Sequence, residues 1–265
     1  MASKGALRVV CIVGARPNFM KIAPLMRVFR ADSADFDAYL VHTGQHYDEA
    51  MKDAFFRQLN IPEPDIDLGV GSGTHAVQTA EIMRRFEPVL DDLAPDLVLV
   101  VGDVNSTIAC ALVATKKDIA VVHVEAGLRS GDRRMPEEIN RVLTDQISDL
   151  LFTTEPDGEI NLLREGVDPN RVHFVGNVMI DTLLANRVRA IPAAQTLGEI
   201  EGFPADKGDF GLLTLHRPSN VDSPAVLRRL LETLVEISER LPLVFPIHPR
   251  TRARVKDAGL DSLLA

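Results

Sequence analysis

The chain predicts an α/β fold on a parallel sheet, and three observations carry that expectation. Short apolar runs, closed by a glycine or a charged residue, alternate with stretches whose apolar residues fall at helical spacing. The alternation recurs with connections long enough for crossover helices, which favours parallel strands joined by right-handed crossovers. Runs such as 97–101, Leu-Val-Leu-Val-Val, are apolar at every position, as in strands covered on both faces.

The first unit opens with a strand over 7–13 that stops at Gly14. A loop with Pro17 follows, then a helix over 21–30 in which Ile22, Leu25, Met26 and Phe29 form one apolar stripe. The same unit repeats as strand 38–42 with helix 47–59, strand 97–101 with helix 106–116, strand 119–124 with helix 136–147, and strand 150–153 with helix 156–164. Beyond residue 167 the rhythm breaks around Pro192, Pro204 and several glycines, with two shorter helical stretches. It resumes with strand 210–215, helix 224–241, strand 243–247 and a helix start at 251–257. This predicts an N-terminal Rossmann-like domain over 1–177, a connector over 178–209, and the start of a C-terminal nucleotide-binding Rossmann-like domain over 210–265. Two strands are too few for a doubly wound sheet to cover both faces, so the second domain reads as truncated.

Composition narrows the function classes. At 265 residues, 46% hydrophobic and 25% charged, the chain has the make-up of a globular protein. A formal net charge of -9 disfavours nucleic acid and anionic membrane as partners. The first residues predict no signal peptide, and no apolar run is long enough to span a bilayer. Cys11 and Cys110, the two cysteines, sit among apolar neighbours and read as buried thiols in a reducing, cytoplasmic compartment.

Ligands of open parallel sheets bind at the carboxyl ends of the strands, so the residues just past each strand carry the chemistry. After the first come Gly14, Arg16 and Lys21: a tight turn, free N–H groups at a helix start and two cations suited to phosphate. Two solvated cations flanking a loop would give the same pattern. Asp103 follows strand 97–101, where it also suits a helix cap. Glu125 ends strand 119–124 and is followed by Gly127 and Arg129. Glu137 and Glu138 lie in the first turn of the helix opened by Pro136, where dipole complementation alone favours acids. In the second domain His216 and Arg217, then His248 and Arg250, repeat the strand-end pattern. Together these residues describe a cleft for a phosphorylated ligand. Gly69, Gly71 and Gly73 are spaced like part of a dinucleotide fingerprint but follow no strong strand, and read as a mobile surface loop. His42, His46 and Asp48 lack a recognised metal spacing, so no metal is expected.

The motifs Gly14-Ala15-Arg16-Pro17-Asn18-Phe19-Met20-Lys21, Thr43-Gly44-Gln45-His46-Tyr47, Gly102-Asp103, His123-Val124-Glu125-Ala126-Gly127-Leu128-Arg129, Pro136-Glu137-Glu138-Ile139-Asn140-Arg141 and Thr214-Leu215-His216-Arg217 jointly resemble the non-hydrolysing UDP-N-acetylglucosamine 2-epimerases. The resemblance runs from about Val9 to His248. It implies two Rossmann-like domains of glycosyltransferase-B type with the nucleotide sugar between them, and a commonly dimeric enzyme. The implied reaction eliminates UDP across C1 and C2 to a glycal and re-adds it after the C2 proton is replaced, with no cofactor. By the same resemblance Asp103, Glu125, Glu137 and His216 match the catalytic residues, while Arg16, Lys21, Arg141 and Arg217 match residues that bind substrate. Repulsion among the three acids would raise one of their pKa values. Gln45, His46, Arg217 and His248 match a second, regulatory UDP-sugar site, but 69–75 supplies no arginine for it. The family's Ser-Gly-Gly-x-Gln-Glu-Glu segment does not occur in the chain.

Three other readings remain open at this stage. The Pro218-Ser219-Asn220 stretch, where the family more often has an acidic residue, fits a 2-epimerase of a related UDP-diacetamido sugar. An inactive, truncated binding remnant predicts an exposed apolar sheet edge near the end of the chain. A glycosyltransferase of similar fold explains three strand-end acids less well than elimination chemistry does.

Overall fold

A computed structural model of the chain describes residues 5–44, 61, 63–200, 203 and 208–264, and only the backbone of Arg16. The helix expected over 47–59 lies outside them. The described residues form two compact units, divided between Arg189 and Ala190.

The first unit is a seven-stranded, wholly parallel sheet. Its strands are β1 (Leu7–Val13), β2 (Phe36–His42), β3 (Ile66–Asp67), β4 (Leu97–Val101), β5 (Ala120–Ala126), β6 (Leu150–Thr153) and β7 (Val172–Phe174), in the order β3-β2-β1-β4-β5-β6-β7. The order reverses between β1 and β4, so the carboxyl ends of these two strands open the crevice where such sheets bind ligands. Alternate side chains of each strand serve opposite faces. Val10, Ile12, Val98, Val100 and Val121 enter one core, while Val9, Cys11, Val13, Leu99, Val101, Val122 and Val124 enter the other. Both faces are therefore apolar, which explains strands with no polar alternation.

Helix α1 (Arg16–Ala31) covers the second of these cores through Phe19, Ile22, Ala23 and Met26. It begins five residues earlier than its apolar stripe suggested. Pro17 stands in the first turn, where its missing N–H costs nothing, rather than in a loop. Pro24 does interrupt the helix interior and leaves the Met20 carbonyl without its usual donor. Thr182 fills that role: its hydroxyl donates to Met20 O at 2.6 Å. Its helix, Val178–Arg187, is thereby fastened to α1 and belongs to the first unit.

Helix α2 (His75–Leu93) has no counterpart in the strand and helix repeats read from sequence. Thr74 caps it, accepting from Val77 N, and Ile82, Phe86, Val89 and Leu90 are buried against the sheet. Each such side chain contributes about 1.5–3 kcal/mol on burial. Four of them outweigh the roughly 3 kcal/mol that Pro88 costs in the helix interior. The loop before it, 69–73, is not loosely attached. Arg85 donates to Leu68 O and Gly69 O, Gln78 to Gly71 O, and Gly71 N to Gly44 O.

Helices α3 (Asn105–Lys116), α4 (Pro136–Ile147) and α5 (Pro156–Arg164) complete the part of the unit that carries the strand-end residues. At the end of β5 the ladder to β6 shifts register between Val124 and Ala126, a β-bulge with Glu125 in left-handed backbone at φ 72°. Gly127 follows at φ 79° and presses against α5, where a Cβ would lie 2.8 Å from Gly158 Cα and overlap the Gly158 carbonyl.

In the second unit Gly211–Leu212 pairs in parallel with Leu243–Val244, a shorter ladder than the apolar runs suggested. Pro246 has no N–H with which to continue it. Helices Pro224–Ser238 and Pro249–Asp257 bury Leu227, Leu231 and Val255 in the core of this unit.

Two glycine substitutions test the contact between β5 and α5. Gly131→Ala, at φ 72° with open space around it, should cost about 1–2 kcal/mol in urea unfolding. Gly127→Ala should cost clearly more, because the strain adds to a backbone overlap; equal losses would show that the close approach is absent.

Candidate active site

The loops after β1, β4 and β5 converge at the crevice. Asn18 stitches the first to the second: its Oδ1 accepts from Gly14 N and Ala15 N, and its Nδ2 donates to Val101 O at 2.9 Å. Gly14 itself has no room for a side chain, since a Cβ would stand 2.7 Å from Thr43 Oγ1. Gly102, in left-handed backbone at φ 68°, is hemmed in likewise: a Cβ there would lie 2.9 Å from Lys21 Nζ and 3.5 Å from Glu125 Oε2. The glycine lets a buried cation and two strand-end acids share one small space.

Lys21 is buried and its ammonium forms an ion pair with Glu125. Asp103, one residue past Gly102, pairs with Arg141 of α4, and the same guanidinium donates to Glu138 Oε2 at 2.8 Å. The structure therefore brings together Lys21, Asp103, Glu125 and Arg141, and sets a cation against two of the three acids expected to repel one another. An amide chain supports Asp103 from behind: Asn140 donates to Asp103 O at 2.9 Å and to Asn105, and Asn105 donates to Gln78 at 2.8 Å.

Glu137 and Glu138 are adjacent in the first turn of α4 and differ completely in surroundings. Glu138 is buried and accepts from Ser130 N and Gly131 N, closing the loop that follows β5. Burial would raise its pKa, but those two N–H donors and Arg141 prevail and hold it below the usual carboxylate range. Glu137 is half-buried and has no hydrogen bond or ion pair among the described residues.

Beneath the site lies a buried histidine to which sequence reading assigned no role. His123 of β5 is fully buried, with Nδ1 2.6 Å from Asp145 Oδ1 and Nε2 2.8 Å from Gly102 O. Asp145 Oδ2 accepts from Gly127 N and pairs with Arg129 at 2.7 Å, and Arg129 in turn grips Glu165 through two bonds. Burial works to raise the Asp145 pKa, yet His123 and Arg129 keep it depressed. A histidine inside an apolar strand was the available signal. The spacing of Glu138, Arg141 and Asp145, three and four apart on one helix face, was another.

In the second unit His216 and His248 lie side by side, ring centroids 5.7 Å apart, and His248 Nδ1 accepts from Arg250 N. His216, Arg217 and His248 are all exposed. Gln45, His46 and Asp48, together with the Arg16 side chain, fall outside the described residues. His42 is turned to Asp67 at 3.0 Å.

A model of the UDP-N-acetylglucosamine 2-epimerase family matches residues 29–263. The chain belongs to this family. Among individual relatives, a UDP-N-acetylglucosamine 2-epimerase homolog of Methanococcus maripaludis is 45% identical over 93% of this chain and 67% of its own length. A UDP-2,3-diacetamido-2,3-dideoxy-D-glucuronate 2-epimerase of Pseudomonas aeruginosa is 41% identical over 96% of this chain and 70% of its own. The crystal structure of Methanocaldococcus jannaschii UDP-GlcNAc 2-epimerase in complex with UDP-GlcNAc and UDP superposes with a TM-score of 0.78 at 42% identity, over 97% of this chain and 70% of that one. The fold class expected from the sequence, α/β of the glycosyltransferase-B type, holds for this 2-epimerase family member.

The depressed carboxylates of this epimerase chain fix the sign of its acid response. Asp145 and Glu138 bind protons less readily folded than unfolded, so their stabilisation is complete above the unfolded carboxylate range and is lost as pH falls through their folded values. The melting temperature should hold between pH 7 and about 5 and fall steadily below that. Asp145→Asn should cost about 3–5 kcal/mol at pH 7 and flatten the acid limb, as read by thermal unfolding across pH.

Proposed function

We propose that the chain is a UDP-N-acetylglucosamine 2-epimerase that interconverts UDP-N-acetylglucosamine and UDP-N-acetylmannosamine. The observation that carries this reading is the set of strand-end acids around Gly102, each of two matched to its own cation, in a chain of this family. Epimerisation at C2 needs a group to take the C2 proton on one face of the sugar and another to return a proton from the opposite face. The bond from C1 to the diphosphate breaks as the C1–C2 double bond forms, so the electron pair leaves with UDP, and re-addition of UDP to the glycal reverses the step. Cations are required where the diphosphate charge grows. We assign proton transfer to Asp103, Glu125 and Glu137 with His216, and diphosphate stabilisation to Arg16, Lys21, Arg141 and Arg217. The ion pair of Lys21 with Glu125 places the ammonium beside one of these acids, which supports its assignment. Gln45, His46 and His248 are our candidates for a regulatory site.

A second reading rests on the 41% identity to the Pseudomonas aeruginosa enzyme, which is named for a diacetamido uronate sugar. Both readings share the same C2 chemistry and differ in the substituents at C3 and C6. We further place the protein in the cytoplasm as a homodimer that supplies amino sugars for cell-envelope polysaccharide. Two free, buried cysteines support a reducing compartment, and no helix among the described residues is long and apolar enough to cross a membrane.

Proton NMR of the purified chain with UDP-N-acetylglucosamine in deuterated water should show loss of the C2 proton signal and growth of the manno epimer. Exchange only with the diacetamido uronate sugar would favour the second reading, and exchange with neither would sink both. Asp103→Asn, Glu125→Gln and Glu137→Gln should each slow turnover by about 100- to 10,000-fold. The base for one epimer should be separable by which substrate loses its exchange.

A further inference from the structure

We infer that His123 and Asp145 are positioning residues for the epimerase reaction, in which the imidazole, protonated on both nitrogens, holds the Gly102–Asp103 peptide in place for catalysis. The inference rests on the proposed function. It follows first from hydrogen-bond accounting. The Gly102 carbonyl can only accept, so Nε2 carries a proton and donates across 2.8 Å. Asp145 accepts from Arg129 and from Gly127 N on its other oxygen, and against the effect of burial its charged neighbours hold its pKa below the usual carboxylate range, so it is ionised and Nδ1 donates to Oδ1 across 2.6 Å. The ring and carboxylate are both inaccessible to solvent, so no water competes for either bond.

The second part of the argument is where these bonds end. Gly102 O belongs to the peptide that delivers Asp103, and the same peptide's neighbourhood holds Lys21 and Glu125 within reach of Gly102. Asp145 also grips Gly127 N, two residues beyond Glu125, while His123 stands two residues before it. One buried pair thus braces both sides of the bulge that carries Glu125 and the turn that carries Asp103. His123 and Asp145 are both closed off from solvent, so their effect on rate is through the acids they aim. A displacement of about 1 Å in such a group costs on the order of 100-fold in rate.

Asparagine and glutamine separate the two bonds. In His123→Asn the amide reaches the position of Nδ1 and keeps Asp145 but abandons Gly102; in His123→Gln it reaches the position of Nε2 and keeps Gly102 but abandons Asp145. His123→Asn should lose about 100-fold in kcat with KM nearly unchanged, and His123→Gln should recover most of that loss despite a similar fall in melting temperature. Nitrogen-15 NMR of the unaltered protein should show both His123 ring nitrogens bonded to hydrogen at neutral pH, a reading that needs no variant to fold. Equal kcat losses in the two variants, or a bare ring nitrogen in the spectrum, would overturn the positioning role while leaving wild-type epimerisation intact. An inactive wild type would instead overturn the epimerase reading, and this role with it.

Discussion

The backbone of Glu125 is the constraint on which the rest of the site depends. A side chain at φ 72° costs about 1–2 kcal/mol, and this one is held by its ion pair with Lys21 and by the ladder on either side of the bulge. The bulge takes Glu125 out of the strict alternation of β5, so its carboxylate turns to Lys21 at the carboxyl edge of the sheet instead of into either core. Around it, Gly127 must be bare to clear Gly158, and Gly102 must be bare to clear Lys21. Asp145 then reaches the freed N–H of Gly127, which ties helix α4 to the kink. Remove the kink and these glycines, the lysine and the buried aspartate lose their common reason.

Much of the parallel sheet could be read from the sequence because its physics is local. Strands covered on both faces must be apolar throughout, and β1, β4 and β5 announce themselves in that way. The strand ends follow from topology, so Asp103, Glu125 and Lys21 could be named as candidates without any contact being known. What was hidden depends on contacts distant in sequence. Helix α2 follows a glycine-rich loop and contains Pro88, both local signs of a break, and only its packing on the sheet overrides them. The early start of α1 was obscured by Pro17, a residue equally at home in a loop or a first helical turn. Asp145 gave only the weak sign of its helical spacing from Glu138 and Arg141, because nothing near it in sequence shows that it lies under a histidine 22 residues earlier.

The charges of the site are arranged in two tiers. Asp103 and Glu125, near the crevice, each have one cation and retain some exposure. Below them Asp145 is enclosed, with a histidine, an arginine and a backbone N–H for partners. A buried carboxylate with that many donors is rigid, whereas one with a single partner keeps lone pairs for another. Under the proposed function the deep tier sets geometry and the upper tier transfers protons. Arg141 ties Asp103 of the upper tier to helix α4 by holding it and Glu138 at once.

The contrast within the pair Glu137 and Glu138 reaches further than either residue. The first turn of a helix offers its unbonded N–H groups and attracts acids for electrostatic reasons alone, so two glutamates there look redundant. Here one has been absorbed into the chain's own architecture as the clasp of the 130–131 loop, and the other is left unattached among the described residues. If Glu137 transfers a proton as proposed, chemically identical neighbours have become a fastener and an instrument. A site of this design can exchange its instrument for a different acid without loosening the protein, but it cannot exchange its fastener.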